Sequence, residues 1–312
     1  MAVVLGATSA IAAGASFAGA GVLQHWVAAR TGRASLSPKL LAALGRQPLW
    51  LAGVVLATAG NGFQALALAL TPLALVQPLL VTELVFAIPI SARLHHKRLG
   101  SREWRGIAAV TVGLAATVWG AAPQGTGSSG TSARWIVVGG VLVIAAIVLA
   151  AAGLRRTGEA RAVLFATSAA LVFALYSTLL AATVASIAAD GLAALSTPLP
   201  YVTAAASLAG LLLIQSAFQA GPLAVTLPMV DWAQPLVAVV LGITVLGESL
   251  STSPYHLTAL AIGALTALAG ILLLNTSPQV RSLQDAQTAQ VSTERARTAR
   301  PAHHEATAVG CT

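Results

Sequence analysis

Two carboxylates, Glu83 and Asp231, stand inside long apolar stretches of the chain. A carboxylate at membrane depth costs about 2.5–3.5 kcal/mol on insertion scales, so it normally faces a polar cavity or a partner. No Lys or Arg lies at that depth to pair with either. A carboxyl desolvated in this way can exchange a proton during a transport cycle. The alternative is a permanently protonated carboxyl that ties helices together. Amides cluster in the same stretches. Asn61 and Gln64 are three residues apart, as are Asp231 and Gln234, so each pair shares a helical face. Gln77 and Gln215 add two more amides, and Tyr176 and Trp232 offer aromatic walls. Pro78, Pro89, Pro228 and Pro235 interrupt the two carboxylate-bearing stretches. Each removes an N–H and frees a carbonyl about one turn earlier, which membrane depth tolerates where a cavity is lined. This chemistry suits substrate or coupling-ion binding.

Other chemistry has little footing. No HExxH or paired CxxC spacing occurs, and no P-loop. Ser128 and Ser129 have no neighbouring base. The sequence therefore predicts no enzyme and no cofactor, and leaves any metal unassigned. His25, beside Gln24 and Trp26, reads as an interfacial anchor. Cys311 is the single cysteine, so no intrachain disulfide can form.

The elements that must position these groups are transmembrane helices. Hydrophobic residues make up 57% of the 312-residue chain and charged ones 8%. Nine apolar stretches are expected as helices near 3–26, 49–70, 73–94, 104–121, 135–153, 162–188, 201–218, 223–246 and 256–274. Most reach the roughly 20 residues that cross a bilayer core. Threading nine spans puts 16 of the 17 Lys and Arg on one side, with Arg134 alone on the other. Cationic loops resist translocation, so the N-terminus is expected outside and the C-terminus in the cytoplasm. The first stretch lacks a basic n-region and reads as a retained helix. The net charge of +8 is spread over separate loops and reads as an orientation signal, with no nucleic-acid partner. Glu83 lies about 15 Å along its helix and Asp231 about 12 Å along its own, both near mid-membrane.

A repeat organises the spans. At a shift of 150 positions, Pro72 meets Pro222, Pro78 meets Pro228, Gly113 meets Gly263 and Gly120 meets Gly270. At a shift of 159, Ala7-Thr8-Ser9-Ala10 meets Ala166-Thr167-Ser168-Ala169. Spans one to four thus pair with spans six to nine around a lone fifth. An offset of five spans inverts one half against the other, the pattern of secondary transporters. The domain reading is 1–134 and 135–276 as two transmembrane halves, with 277–312 a disordered cytoplasmic tail. The Gly-Ser-rich segment at 122–133 is an expected external linker.

The stretch Phe17–Arg30 (FAGAGVLQHWVAAR), the segment 48–53 (PLWLAG) and the run ALALALTPLALVQPLLVTELVFAIP at 65–89 resemble an actinobacterial branch of the drug/metabolite transporter superfamily. The same hairpin resembles NIPA-type magnesium transporters. Gly247-Glu248 resembles the Gly-Glu element ahead of the last helix of EamA-type repeats. The resemblance covers about residues 3–275 and implies an all-α fold of two inverted bundles, here 4+1+4. Family members typically have ten helices and an internal N-terminus. Loss of the leading helix gives nine and an external N-terminus, in agreement with the charge distribution.

The expected function is that of a permease, multi-pass in the cell (inner) membrane, working by alternating access. Its partners are the lipid bilayer and a small-molecule or cation substrate, and a homodimer stays open. A NIPA-like magnesium route is the first alternative. A non-transporting membrane scaffold or sensor is the alternative from another class.

Overall fold

Lipid offers no partner for backbone N–H and C=O groups, so apolar stretches of this length satisfy them internally as helices. The computed structural model describes residues 1–28, 36, 38–94, 99–121, 132–221, 223–249, 251 and 253–277. Most of the expected external linker, the basic His95-His96 loop, the tail from 278 and Cys311 lie outside the described residues. So do the side chains of Asp231, Trp232 and Pro228, whose backbones are helical.

The chain is all-α. Its helices are α1 (Ala2–Ala28), α2 (Pro38–Leu44), α3 (Pro48–Leu70), α4 (Leu73–Leu80), α5 (Thr82–Leu94), α6 (Ser101–Ala121), α7 (Ser132–Leu154), α8 (Gly158–Asp190), α9 (Leu199–Ala220), α10 (Leu223–Thr244) and α11 (Pro254–Asn275). A 3₁₀ turn, Gly191–Ser196, extends α8. Among the described residues, seven segments are long and apolar enough to cross a membrane: α1, α3, α4 with α5, α7, α8 with its 3₁₀ turn, α9 and α11. α6 carries Arg102, Glu103 and Arg105 near its start, and the apolar stretch found in α10 is Ala233–Thr244. Apolar side chains such as Val141, Ile144 and Val148 of α7 are 60% exposed or more. A soluble protein rarely exposes so broad an apolar face, and lipid covers it at no cost. This is a polytopic α-helical membrane protein.

Two local features differ from the expected spans. The first loop contains α2, whose Leu40 and Leu44 stand one turn apart and are fully buried against Trp50, Phe165 and Phe218. The third span is broken at Val81 into α4 and α5. Pro78 removes one helical hydrogen bond. Thr82 then takes the Leu79 carbonyl with its own hydroxyl at 2.7 Å, competing with the backbone ladder. α10 has prolines at the matching 228 and also at 235, yet it is continuous, and position 232 carries Trp where α5 begins with Thr82.

α6 and α11 pack antiparallel through a seam of glycines. A Cβ on Gly113 would lie 2.3 Å from the Ala267 nitrogen and 2.7 Å from the Gly263 oxygen. One on Gly263 would lie 2.5 Å from the Thr117 nitrogen and 2.8 Å from the Gly113 oxygen. Gly120 meets Leu260, and Gly270 meets Val110, in the same way. The two expected glycine pairs thus serve one contact, with each helix the other's close neighbour. Both ends of the seam are fastened. Ser277 is buried and its hydroxyl donates to Glu103, which also accepts from the Gly100 N–H at 2.7 Å. At the other end, the Ser251 N–H donates to the Ala121 carbonyl at 3.2 Å.

Replacing Gly113 or Gly263 by Leu forces the backbones apart and should cost about 1–3 kcal/mol, as overpacking does. Gly62, whose Cβ would meet nothing within 4 Å, should accept Ala without loss. Thermal melts in detergent check this, and a G113L protein that melts with wild type would remove the seam from the account.

Candidate functional site

The helices enclose a cavity of about 330 Å³. α1, α3, α8 and α9 form much of its wall, each packed on two of the others, and α4, α5 and α10 complete the lining. The cavity gathers Asn61, Gln64, Gln77, Glu83, Tyr176, Gln234 and Pro235. These residues come from five helices and from sequence positions up to 174 apart, 61 to 235. Gln215 does not line it. It stands behind, fully buried, and donates its amide to Gln24 Oε1 at 2.6 Å. Pro89 also lies off the cavity, inside α5.

The walls match across the chain. Ala57 and Ser207 line the cavity, as do Thr58 and Leu208, Asn61 and Leu211, Gln64 and Ile214, and Leu80 and Val230. Each pair is 150 positions apart. Phe17 packs its ring edge over Gly60, where a Cβ would lie 2.6 Å from Cε1. Phe173 does the same over Gly210, again at 2.6 Å. This contact relates α1 to α8 by a shift of 156, three short of the 159 that the alanine-rich match indicates.

Polar bridges close the wall on two sides. Tyr176 donates its hydroxyl to Asn61 Oδ1 at 3.0 Å, and Gln64 donates to Ser177 Oγ at 3.1 Å, joining α3 to α8. The Gln24–Gln215 bond joins α1 to α9. Gln77 is different. It is 0% exposed, and neither its Nε2 nor its Oε1 has a hydrogen-bond partner. An unpaired buried amide group costs on the order of 1–3 kcal/mol, so this one marks a place for something polar. Glu83 is half-buried at the start of α5, immediately past the break. Gly14 lets α1 reach that break, since a Cβ there would lie 2.6 Å from Thr82 Oγ1. One α1 turn pair later, Gly21 faces Glu83 Oε1 at 3.5 Å from its own would-be Cβ.

Gln24 is one of the wall residues that the sequence did not single out. Phe17, Gly21 and Gln24 line the cavity and fall on the α1 face that begins with Gly14. Spacings of three, four and three residues give that face away. His25 is buried, 5% exposed, with its ring edge-on to Phe218 at 5.3 Å. It is a packed residue and not the interfacial anchor expected.

Glu248 fastens the opposite end, beside the α3–α4 hairpin. Its Oε1 accepts the Leu73 N–H at 2.6 Å and its Oε2 the Ala74 N–H at 2.9 Å. A carboxylate on the first free N–H groups of a helix satisfies them and faces the positive end of the dipole. Gly247 adopts φ +70°, a left-handed turn that favours glycine, and delivers the acid. Gly242 leaves room for it, since a Cβ there would lie 2.6 Å from Glu248 Oε2. Burial pushes the Glu248 carboxyl up, and the two N–H groups offset only part of that rise.

An uncharacterized protein of Corynebacterium glutamicum is 30% identical over 274 residues, covering 85% of this chain and 93% of that protein. The chain belongs to that protein's family. No family model matches the sequence. No solved structure matches it.

Two outcomes are expected. Gln24→Leu leaves Gln215 without its acceptor and should cost about 1–3 kcal/mol, and a double-mutant cycle with Gln215→Leu should recover part of it. Glu248 has a folded pKa raised above its ordinary 4.5. Its protonation favours the folded state, so that contribution is complete below pH 4.5 and is lost as pH rises through the raised value. Melting temperature against pH should fall across that window, and E248Q should flatten the curve.

Proposed function

We propose that the chain is a secondary transporter (permease) that moves a small molecule across the cell membrane by alternating access. The observation that carries this reading is the amide-rich cavity, built from residues 150 apart, around the unpaired Gln77. Pockets that bind small molecules combine apolar walls with a few convergent polar groups, and this one does. The substrate would be held by Gln77, Glu83, Gln64 and Gln234. Asp231, three residues before Gln234 on α10, would be the coupling group.

In this reading α1 to α6 and α8 to α11 are two inverted halves around α7, nine spans in a 4+1+4 order with the N-terminus outside. The equivalent wall positions, the two phenylalanine-on-glycine contacts and the antiparallel glycine seam support it. So does the resemblance to the drug/metabolite transporter superfamily. The mechanics divide between firm and breakable contacts. Backbone packing along α6 and α11 leaves no slack, so it serves as the pivot. The bridges Asn61–Tyr176, Gln64–Ser177 and Gln24–Gln215 are neutral hydrogen bonds worth about 0.5–1.5 kcal/mol each. Such bonds can open and close in turn within a cycle. A small organic molecule suits the mainly apolar wall better than hydrated Mg²⁺, which needs a shell of oxygen ligands.

Flux into proteoliposomes, measured against a panel of small metabolites and drug-like cations with Mg²⁺ as one member, tests the reading. Q77A and E83Q should each lower flux of the responding compound by about tenfold or more, the worth of one lost polar contact. D231N should flatten its pH dependence; a pH dependence that survives D231N removes proton coupling. Absence of flux for every compound would leave the chain as a scaffold or sensor.

A further inference from the structure

The cavity is not walled evenly. Toward one end its lining residues Gln24 and Phe218 are buried, and toward the other Gln64 and Gln77 are buried. Midway, the lining reaches the surface. Leu208 of α9 lines the cavity and is 61% exposed. Thr58 of α3, at the equivalent position, lines it and is exposed as well. α3 and α9 each pack on α1 and α8, but they do not form a packed pair with one another. Thr58 and Leu208 are the eleventh and tenth residues of helices of 23 and 22 residues. Both stand at the depth of hydrocarbon tails. Val55 and Val202 are exposed apolar residues of the same two helices, 68% and 50% exposed, and neither lines the cavity.

An opening at that depth admits what is already dissolved in the bilayer. A fully polar solute would have to shed its water in hydrocarbon to reach it. Inside, Gln77 presents an unpaired donor and an unpaired acceptor on one amide. The group that satisfies both must carry an acceptor and a donor side by side, as a carboxamide does. The cavity holds such a head and the first carbons behind it, and a longer chain must leave through the gap.

We propose that the cavity is loaded from the side by a membrane-dissolved amphiphile. Its carboxamide-like head pairs with Gln77, and its apolar chain passes out between Thr58 and Leu208. This rests on the permease reading for the fate of the ligand, while binding itself is read separately.

The test uses the full chain carrying C311S, reconstituted in proteoliposomes, with L208C as reporter and V55C, lipid-facing and off the cavity, as control. The probes are dodecanamide and propionamide. Dodecanamide should slow labelling of the L208C thiol by N-benzylmaleimide about tenfold, propionamide should not, and V55C should be indifferent to both. Q77M should abolish the protection. Equal effects at both thiols, or no protection, overturn the proposal. Capping L208C with N-benzylmaleimide after folding then separates the two readings. If flux of a water-soluble panel compound persists after capping and dodecanamide gives no protection, side loading fails and the permease stands. If dodecanamide protects but nothing is transported, the binding site stands and the permease fails.

Discussion

The structure depends on one contact, the backbone-to-backbone approach of α6 and α11. Four glycines make it, and at three of them an added Cβ would lie within 2.5 Å of a backbone nitrogen on the other helix. At those three every atom met is main chain, so the contact does not yield by rotamer change. The remaining elements are ordered outward from this line. α4 and α10 pack on one another, α4 packs on α6 and α10 on α11. α1, α3, α8 and α9 come next and enclose the cavity.

Membrane depth sets the second constraint. Polar side chains there must find one another, because the surroundings offer no hydrogen bonds. Serine and threonine hydroxyls turn back on their own helices, as Thr178 does to Ala174 and Thr117 to Gly113. The amides pair between helices, and their bonds fall where α3 meets α8 and where α1 meets α9. Gln77 breaks that rule, and it does so on the cavity wall.

Much of this was legible in the sequence. Length and hydropathy placed the helices to within a few residues, because the bilayer enforces both. Asn61, Gln64, Gln77, Glu83, Tyr176 and Gln234 were found by a single criterion, polarity at depth, and they share one cavity. The same criterion overreached with Gln215, since polarity at depth does not tell a lining amide from the one bonded behind it. It passed over Thr58 and Ser207, whose hydroxyls are unremarkable in an apolar helix. The break at Val81 was hidden because Pro78 and Pro228 match, while the outcome turns on Thr82 and its hydroxyl. The alanine-rich match pairs α1 with α8 at a shift of 159 and the phenylalanine-on-glycine contacts pair them at 156; alanine identities are cheap, and a ring resting on a glycine is a stricter marker.

Glu248 is a one-sided feature. The position 150 residues earlier is Arg98, a cation that cannot accept a hydrogen bond from a helix N–H. Two bonds from the α4 start to the Glu248 carboxyl tie the loop ahead of α11 to the α3–α4 hairpin. Whatever moves the loop ahead of α11 therefore pulls on the first turn of α4, the short helix that carries Gln77.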